Sequence, residues 1–376
     1  MTDVDLFSSH PTLTPPTTEE IRLSWLRLLR SRRVGVSTFF RLMTEHGNAV
    51  DAMTALPEIA RAAGVLDYAI CPEGVVVAEM RAARAAGAAM ICYGEPSYPT
   101  DLADIPDPPP ILWAIGDTDL LKRPMVAMVG ARNASSLGTR MARKLAADLS
   151  DAGFVVVSGL ARGIDTAAHL AALDGGTVAV QAGGIDVVYP KENAGLTDDI
   201  GRKGLRLSEI AMGVQPQARH FPRRNRIISG LAKAVIITEA AARSGSLITA
   251  KDALDQGREV MAVPGHPFDA RAFGCNALLR DGATLIRSAA DVIDVLGKED
   301  EKSETTPEPA SPARTLRDMS DLHNQILSRL GPSPLAEDQL IRDLDLPSQK
   351  ITPELLNMEL DGKIIRAPGG MLALAS

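Results

Sequence analysis

Guanidinium groups and one aromatic ring are concentrated between residues 219 and 226. The residues with binding potential in this segment are Arg219, Phe221, Arg223, Arg224, Asn225 and Arg226. From Ile210 to Thr238 five basic residues occur without a single acid. Such charges repel one another unless an anion joins them, and an aromatic face beside them can stack on a base. The segment therefore predicts a site for a flexible polyanionic strand; the alternative is a solvated basic helix with Phe221 tucked into the core.

Three further segments place glycine and serine, close to arginine, where a helix is expected to begin. They are residues 130–138, 158–165 and 243–250, and the residues expected to contact phosphate are Gly130, Arg132, Ser135, Arg162, Gly163, Ser244, Gly245 and Ser246. Backbone N–H groups and the helix dipole attract anions at such positions, and Ser135 or Ser136 can cap its helix. The alternative for the first segment is a capped turn with a surface arginine. Together with the arginine-rich segment, these loops predict a site for several phosphates in a row.

The same loops lack the patterns that hold a dinucleotide or ATP. Neither GxGxxG nor GxxxxGK[ST] occurs, so no cofactor is expected. The three cysteines, Cys71, Cys92 and Cys275, have no CxxC spacing, which argues against a metal site and a disulfide framework. Asp165 is expected to cap the helix after its loop and to pair with His169. Because no nucleophile accompanies this pair, we assign it a structural role and expect no catalytic residue.

The charge of the chain is −7, which is unusual for a protein that binds polyanions. Residues 97–297, however, hold 22 basic and 22 acidic residues, so this part is neutral and contains one purely basic stretch. That distribution indicates a local anion site rather than a basic protein. The N-terminus, with Asp3 and Asp5, does not resemble a secretory signal, and no apolar stretch is long enough to cross a bilayer. We therefore expect a cytoplasmic protein without membrane contact.

Short β-branched segments alternate with amphipathic helices in the middle of the chain. Strands are predicted at Met125–Val129, Phe154–Val157, Thr177–Gln181, Arg206–Leu207, Ala234–Thr238 and Glu259–Val263. Apolar strands separated by helical crossovers imply an α/β fold with a parallel sheet covered on both faces. Ligands of such sheets bind at the carboxyl ends of the strands, and every loop described above lies at that edge.

Changes in composition divide the chain into five segments. We expect a flexible tail over residues 1–18, a small helical domain over 19–87, the α/β domain over 88–296, a solvated linker over 297–316 and a compact C-terminal unit over 317–376.

Several groups of residues resemble, in order along the chain, the DNA-processing protein A (DprA/Smf) family. They are Tyr98-Pro99 with Leu102; Pro109-Pro110-Ile111-Leu112 with Gly116; Val129-Gly130-Ala131-Arg132 with Ser135 and Gly138; residues 158–165 with Ala168-His169; Tyr189-Pro190; Ser208-Glu209; residues 221–228; Ser244-Gly245-Ser246 with Thr249-Ala250; and Val263-Pro264-Gly265. The matches span Tyr98 to Ala283.

This resemblance implies an extended Rossmann-like domain that dimerises, binds and protects single-stranded DNA, and loads the RecA recombinase in natural transformation and recombination. It also makes the single-strand-binding protein a further partner. The family positions that hold DNA correspond here to Arg132, Arg162, Phe221, Arg224 and Asn225. Ala131 stands where many members have Ser or Thr, and Arg162 stands where many have Lys, which keeps the charge but changes its geometry.

The flanking segments resemble further parts of the family. The N-terminal domain is similar to a sterile-alpha-motif or helix-hairpin-helix (SAM/HhH-like) module. The C-terminal unit is similar to a winged helix, with helices near 322–330, 337–344 and 351–360 and a β-wing over 363–374. Their roles stay open. The enzymatic alternative is a nucleotide phosphoribohydrolase with a PGGxGTxxE motif, but residues 243–250 lack its carboxylate. We therefore expect a DNA-binding recombination mediator and not an enzyme.

Overall fold

The computed structural model describes residues 13–303, 325–330, 335–344, 351, 355, 358–359, 363–367 and 371–374. The chain falls into two compact units, residues 1–300 and 301–376. The helices between residues 19 and 303 are α1 (Glu19–Arg30), α2 (Val36–His46), α3 (Ala49–Ala62), α4 (Glu73–Ala85), α5 (Thr100–Ala103), α6 (Ser136–Asp151), α7 (Ile164–Ala172), α8 (Ala194–Lys203), α9 (His220–Gly230), α10 (Ser246–Asp255), α11 (Phe273–Arg280) and α12 (Ala289–Ser303). Two short 3-10 helices lie at Thr118–Lys122 and Lys191–Asn193.

One nine-stranded sheet runs through the first unit in the order β1-β2-β6-β5-β4-β3-β7-β8-β9. Its strands are β1 (Ala89–Cys92), β2 (Ile111–Gly116), β3 (Met125–Val129), β4 (Val155–Ser158), β5 (Thr177–Val180), β6 (Leu205–Ser208), β7 (Ala234–Ile237), β8 (Glu259–Ala262) and β9 (Thr284–Leu285). The strands from β6 to β9 pair in parallel, whereas β1–β2 and β2–β6 are antiparallel. The six predicted strands are confirmed to within one residue at each end, and the parallel sheet is confirmed with them.

Alternation along the buried strands explains why both faces of the sheet are covered. In β3, Val126 and Met128 pack with α6, α7 and α12, whereas Ala127 and Val129 pack with α9, α10 and α11. Successive side chains of a strand point to opposite faces, so a fully apolar strand needs a helical layer on each side. The helical layers do not cover the carboxyl ends of the parallel strands. The turns that follow the strands therefore lie side by side at this edge of the sheet.

The strands β1 and β2 were missed by the sequence analysis, and they connect the sheet to the N-terminal helices. Trp113 of β2 is fully buried in the same core as Trp25 and Phe39, and its Nε1 donates to Glu79 Oε1 at 3.0 Å. Arg30 completes the contact with two hydrogen bonds to the Glu79 carboxylate, at 2.8 and 2.9 Å. The helices α1–α4 therefore share one apolar core with the antiparallel strands.

Two segments that were expected to be irregular contain order. Residues 1–12 of the predicted tail lie outside the described residues, whereas Leu13 packs against the helical core and Pro16 is buried. Helix α12 continues to Ser303, into the segment predicted as a linker. Among the described helices none has the length and apolar character that a bilayer-spanning helix needs.

The second unit, described by itself, has the elements of a winged helix. It contains β10 (Leu335–Ala336), α13 (Glu337–Leu344), β11 (Ile364–Ala367) and β12 (Met371–Leu374), paired antiparallel in the order β10-β12-β11. Residues 325–329, 351, 355 and 358–359 are helical, and the rest of the predicted helices near 322–330 and 351–360 is outside the described residues, apart from Leu330. The buried side chains are Ile326, Leu330, Leu340, Ile351, Leu355, Met358, Ile364 and Leu372. The predicted helices and β-wing are confirmed where the structure describes them.

Candidate functional site

Turns from several strands meet in one cleft of about 640 Å³ at the carboxyl edge of the sheet. This edge cleft is lined by Gly130, Arg132 and Asn133 after β3; Ala161 and Asp165 after β4; Phe221, Pro222, Arg224 and Asn225 of α9; Arg243, Ser244, Gly245 and Ser246 before α10; and Arg271 before α11. The expectation that separate loops and the arginine-rich segment converge is confirmed for these residues. Pro222 lies in the first turn of α9, as its residue type predicts.

Phe221 is the centre of an aromatic and cationic cluster at this cleft. The guanidinium carbon of Arg132 lies 5.1 Å from the ring centroid of Phe221, and that of Arg224 lies 5.9 Å from it. The ring of Tyr189, 46% exposed, lies 5.8 Å from Phe221 in a tilted arrangement. Arg132 is exposed and makes no ion pair with any residue that the structure describes. A charge beside an accessible ring is the combination that holds a phosphate and a base together.

Arg224, in contrast, is only 5% exposed and serves the fold. Its Nη1 donates to the carbonyl oxygens of Gly159 and, at 2.7 Å, of Val180, so it ties together the ends of β4 and β5. A Cβ on Gly159 would lie 2.1 Å from Arg224 Nη1, which explains the glycine. Burial lowers the pKa of Arg224 to about 10, against the opposing effect of the Asp165 carboxylate. The guanidinium of Arg224 therefore stays charged at neutral pH, but it donates its hydrogen bonds to backbone carbonyls.

Two other arginines of α9 are neutralised by acids. Arg226, 7% exposed, pairs with Glu209 Oε2 at 2.5 Å and with Asp107 Oδ2 at 3.1 Å. Arg223 lies 3.5 Å from Glu209 Oε1 and is half exposed. The expectation that this stretch is not balanced by acids is wrong for Arg223 and Arg226, because Glu209 lies just before the acid-free stretch and Asp107 is distant in sequence. Neither Arg223, Arg226 nor Arg219 lines the edge cleft.

The first Gly/Ser turn is already occupied by a carboxylate of the chain itself. Ser135 caps α6 by accepting from Gly138 N at 2.9 Å, as predicted, and its hydroxyl donates to Glu239 Oε2. Ser135 N also donates to Glu239 Oε1 at 3.0 Å. Glu239, 8% exposed, therefore takes the position at the start of α6 that was expected for a phosphate. Ser135 faces away from the edge cleft and is not among its lining residues.

The turn after β4 is held by internal contacts. Asp165 accepts from Gly159 N at 3.2 Å and from Ala161 N at 3.3 Å, and burial raises the pKa of its carboxyl. His169 Nδ1 lies 2.7 Å from Thr177 Oγ1. The prediction that Asp165 caps α7 and pairs with His169 is wrong, since Gly163 is the N-cap residue and the two side chains bond elsewhere. Their predicted structural role agrees with these contacts.

Gly163 packs two turns together, and Arg162 projects from the same turn. Gly163 has a φ of +76°, and a Cβ there would lie 2.2 Å from Ala131 O. Ile164 N donates to the same carbonyl at 3.2 Å. Arg162 is 63% exposed and lies 3.5 Å from the exposed Glu192, a contact of little energetic value. Its guanidinium is therefore available to an anion.

The turn before α10 is open to the cleft. Gly245 precedes α10 without a side-chain cap, and the hydroxyls of Ser244 and Ser246 lie 2.7 Å apart. Two exposed arginines lie at this end of the cleft, Arg243 and Arg271, and neither makes an ion pair with another described residue. Arg243 lies in the predicted segment 243–250 but was not among the expected contact residues, and Arg271 was not predicted. Arg271 could have been found from the Val263-Pro264-Gly265 loop, which leads toward it at the same edge.

Fold and cleft together define a Rossmann-like protein with a cationic sheet edge. Comparison with known proteins gives three family matches between residues 19 and 370. Residues 89–297 match the family described as DNA recombination-mediator protein A, residues 19–82 match the DprA-like N-terminal HHH domain, and residues 306–370 match the DprA winged helix domain.

Characterised relatives agree with these matches. The DNA processing protein DprA of Streptococcus pneumoniae is 50% identical over 198 residues, which are 52% of this chain and 70% of the relative. Protein Smf of Escherichia coli is 36% identical over 280 residues, 74% of this chain and 75% of the relative. The crystal structure of the pneumococcal protein matches with a TM-score of 0.64 at 38% identity and covers 72% of this chain and 97% of its own.

A second solved structure, DNA processing protein A from Helicobacter pylori, matches with a TM-score of 0.52 at 31% identity, over 56% of this chain and 96% of its own. That structure is described as giving insight into a single-stranded DNA binding mode. The chain therefore belongs to the DprA/Smf family. Its role is that of a DNA-processing recombination mediator, with an N-terminal helix-hairpin-helix domain and a C-terminal winged helix.

Proposed function

We propose that this chain binds single-stranded DNA along the edge cleft and passes it to the RecA recombinase, as a binder and not as a catalyst. The observation that carries the proposal is the Arg132 guanidinium 5.1 Å from the accessible ring of Phe221, beside the open turn of Ser244 and Gly245. A single strand exposes both phosphates and base faces, whereas a duplex hides the faces. The binding mode described for the Helicobacter pylori relative supports the same ligand.

The contacts we assign to DNA come from residues at this edge, all of them at least partly accessible except Ser246, which is 8% exposed. They are Gly130, Arg132, Arg162, Phe221, Asn225, Ser244, Gly245 and Ser246, with Arg243 and Arg271 added and with Arg219 and Arg223 beside the cleft. Ser135, Gly163, Arg224 and Arg226 are assigned positioning roles, because their polar groups or close packing are taken up by the chain itself.

The direct test compares labelled 30-nucleotide single strands and duplexes by fluorescence anisotropy across salt concentration. We expect the single strand to bind more tightly and its affinity to fall steeply with salt, because phosphate contacts release counterions. Equal binding of the two forms would exclude the assigned mode. Recombinase loading is tested separately, as faster RecA ATP hydrolysis on DNA coated with single-strand-binding protein when this chain is added.

The assembly and location follow from the same proposal. We propose a homodimer formed through the Rossmann-like domain, the single-strand-binding protein as a further partner, and a cytoplasmic location in cells that take up DNA or recombine it. Sedimentation of the full chain measures the dimer directly.

The rival function, hydrolysis of nucleoside monophosphates, requires a free carboxylate at the cleft. The nearest carboxylates are committed to the backbone, Asp165 to Gly159 N and Ala161 N, and Glu239 to Ser135 N. Release of the base from a nucleoside monophosphate by the purified chain would favour the enzymatic reading over ours.

A further inference from the structure

A groove of about 920 Å³ lies along the exposed side of helix α6, apart from the edge cleft. Its lining comes from α6 and the residue before it, from Leu170 and Ala171 of α7, and mainly otherwise from the turns that follow β7 and β8. Among the described residues, this α6 groove has no lining residue in common with the edge cleft. A ligand of the groove and a strand in the cleft therefore occupy different sites.

Two large apolar side chains of the α6 groove are exposed to solvent. Leu137 of α6 is 72% exposed, and Leu170 of α7 is 48% exposed. Helix α6 packs on the sheet through its opposite side, where Leu145 and Leu149 are fully buried, so the core does not need Leu137. Exposed apolar surface with a polar rim is a common feature of sites where proteins dock.

The rim of the α6 groove is cationic. Arg140, Arg143 and Lys144 all line it, and α6 contains no acid before Asp148. Lys144 pairs with Asp148 at 2.9 Å. Arg140 and Arg143 are exposed, and neither makes an ion pair with a residue that the structure describes. Both guanidinium groups are therefore available to carboxylates or phosphates from outside.

The remaining lining favours carboxylates over a nucleic-acid strand. The two acids of the groove do not balance its cations, because Glu239 is 8% exposed and accepts from Ser135 N, and Asp269 accepts from Arg271 N at 2.9 Å. None of the described lining residues is Phe, Tyr or Trp, the side chains on which unstacked bases rest. Phosphates would use the arginines but leave the leucines uncovered. An acidic protein segment with apolar side chains matches both features.

We propose that the α6 groove docks an acidic segment of a partner protein that carries at least two bulky apolar side chains. These apolar side chains cover Leu137 and Leu170, and carboxylates of the segment pair with Arg140 and Arg143. An amphipathic helix with an acidic outer face supplies both kinds of contact. The inference goes beyond the proposed function, since the groove lies outside the edge cleft and its occupant is not DNA.

The experiment measures the affinity of the full chain for three labelled 14-residue peptides by fluorescence anisotropy. The first has leucines on one face of a helix and glutamates on the other; the second has lysine in place of each glutamate, and the third has alanine in place of each leucine. We expect the first to bind in the micromolar range and roughly tenfold more tightly than the others, because it alone offers apolar cover and carboxylates together. Equal affinity for the first two peptides, or no binding of the first at about 1 mM, would overturn the proposal.

Replacement of the two leucines locates the binding. The double variant Leu137→Ser, Leu170→Ser should weaken binding of the glutamate peptide roughly tenfold and leave thermal melting unchanged, because both side chains are exposed. The matched control is Leu66→Ser, an 80% exposed leucine between α3 and α4, which should keep the wild-type affinity. Wild-type affinity in the double variant would overturn the proposal. So would a change from dimer to monomer on sedimentation of the double variant, since the groove would then join two copies of the chain.

Charge reversal separates a protein partner from a nucleic acid. The double variant Arg140→Glu, Arg143→Glu should transfer the preference to the lysine peptide, whereas Arg81→Glu, at an exposed position of α4, should not. Saturation with dT30 should change the affinity for the glutamate peptide by less than about twofold, because the two sites have no lining residue in common. Displacement of the peptide by dT30 would overturn the proposal. Loss of dT30 binding in the double variant with peptide binding retained would also overturn it, in favour of a nucleic-acid contact.

Discussion

Two groups of arginines occupy the same sheet edge with opposite surroundings. Arg132, Arg162 and Arg243 lie on turns and are exposed, and only Arg162 has an acid within 4 Å, at 3.5 Å. Arg224 and Arg226 lie on helix α9, are at most 7% exposed and use their donors on carbonyls and carboxylates. The comparison teaches that a run of positive charge in the sequence is divided by the fold into a binding part and a structural part. The turns carry the charge that a ligand can reach.

The largest expected effect is on the stability of the fold, and it comes from Arg224 on helix α9. Arg224→Ala should lower the free energy of unfolding by about 3 kcal/mol, because it leaves the carbonyls of Gly159 and Val180 and the buried Asp165 without their cation. Arg132→Ala should change it by less than about 0.5 kcal/mol. Urea denaturation followed by circular dichroism gives both values. Equal stability of the two variants would remove the distinction between the groups.

The second largest effect is expected on DNA binding, and it comes from Arg132 on the turn after β3. Arg132→Ala should weaken single-stranded DNA binding about tenfold and lower the slope of log affinity against log salt by about one, because one phosphate contact and the cation beside Phe221 are lost. The control is Arg202→Ala, an exposed arginine in the last turn of α8 that pairs with Asp199 at the other edge of the sheet. An Arg202→Ala loss as large as that of Arg132→Ala would point to nonspecific charge.

A smaller effect separates two serines that look alike in sequence. Ser135→Ala should lower the free energy of unfolding by about 1 kcal/mol, because Gly138 N and the Glu239 carboxylate lose their partner. Ser244→Ala should leave stability nearly unchanged and weaken DNA binding about threefold. Thermal melting and anisotropy on the same two proteins check both outcomes. If Ser244→Ala lowered stability and Ser135→Ala weakened DNA binding instead, the turn before α10 would serve the fold and the turn before α6 would bind the ligand.

The smallest expected effect is on the pH dependence of stability, and it comes from His169, which is buried near Arg224. Burial lowers the pKa of His169 from 6.5 to about 3, with the Arg224 charge adding to the shift. Its folded pKa lies below the unfolded one, so stability from its neutral form is present above pH 6.5 and is lost as the pH falls toward 3. Between pH 7 and 6 this loss should be about 0.7 kcal/mol. The pH dependence of unfolding in His169→Gln should be shallower by that amount; an unchanged slope would mean that His169 titrates in the fold as it does in the unfolded chain.

The alternation of strands and helices could be predicted because it is a local pattern. Apart from β6, which reads Leu-Arg-Leu-Ser, the strands from β3 to β8 consist mainly of Val, Ile, Ala and Met between Gly-containing turns, which distinguishes them from their neighbours. β1, with Ala89 and Met90 after an alanine-rich helix, has little β-branched character, and β2 follows a run of prolines. β9 has only two residues. The pairing of β1, β2 and β9 is set by the sheet and not by their own propensity.

The sequence indicated which segments gather at the sheet edge, but it did not indicate which of their side chains the fold itself uses. Of the predicted contact residues, the edge cleft contains Gly130, Arg132, Phe221, Arg224, Asn225, Ser244, Gly245 and Ser246, whereas Ser135, Arg162, Gly163, Arg219, Arg223 and Arg226 lie outside its lining. The partners that occupy Ser135, Arg224 and Arg226 come from other elements, namely Glu239 after β7, the carbonyls of β4 and β5, and Glu209 after β6. Such contacts join positions 17 to 104 residues apart, and no local pattern contains them.

The shared core of the N-terminal helices and β2 has a practical meaning for cutting the protein into pieces. Trp113 of β2 donates a hydrogen bond to Glu79 of α4, and Arg30 of α1 donates to the same carboxylate, so the N-terminal helices cover the antiparallel end of the sheet. Cleavage near residue 88 would remove these helices and expose the apolar side chains that they cover, and the exposed surface would promote aggregation. A fragment that keeps residues 13–300 together should instead melt in a single cooperative step.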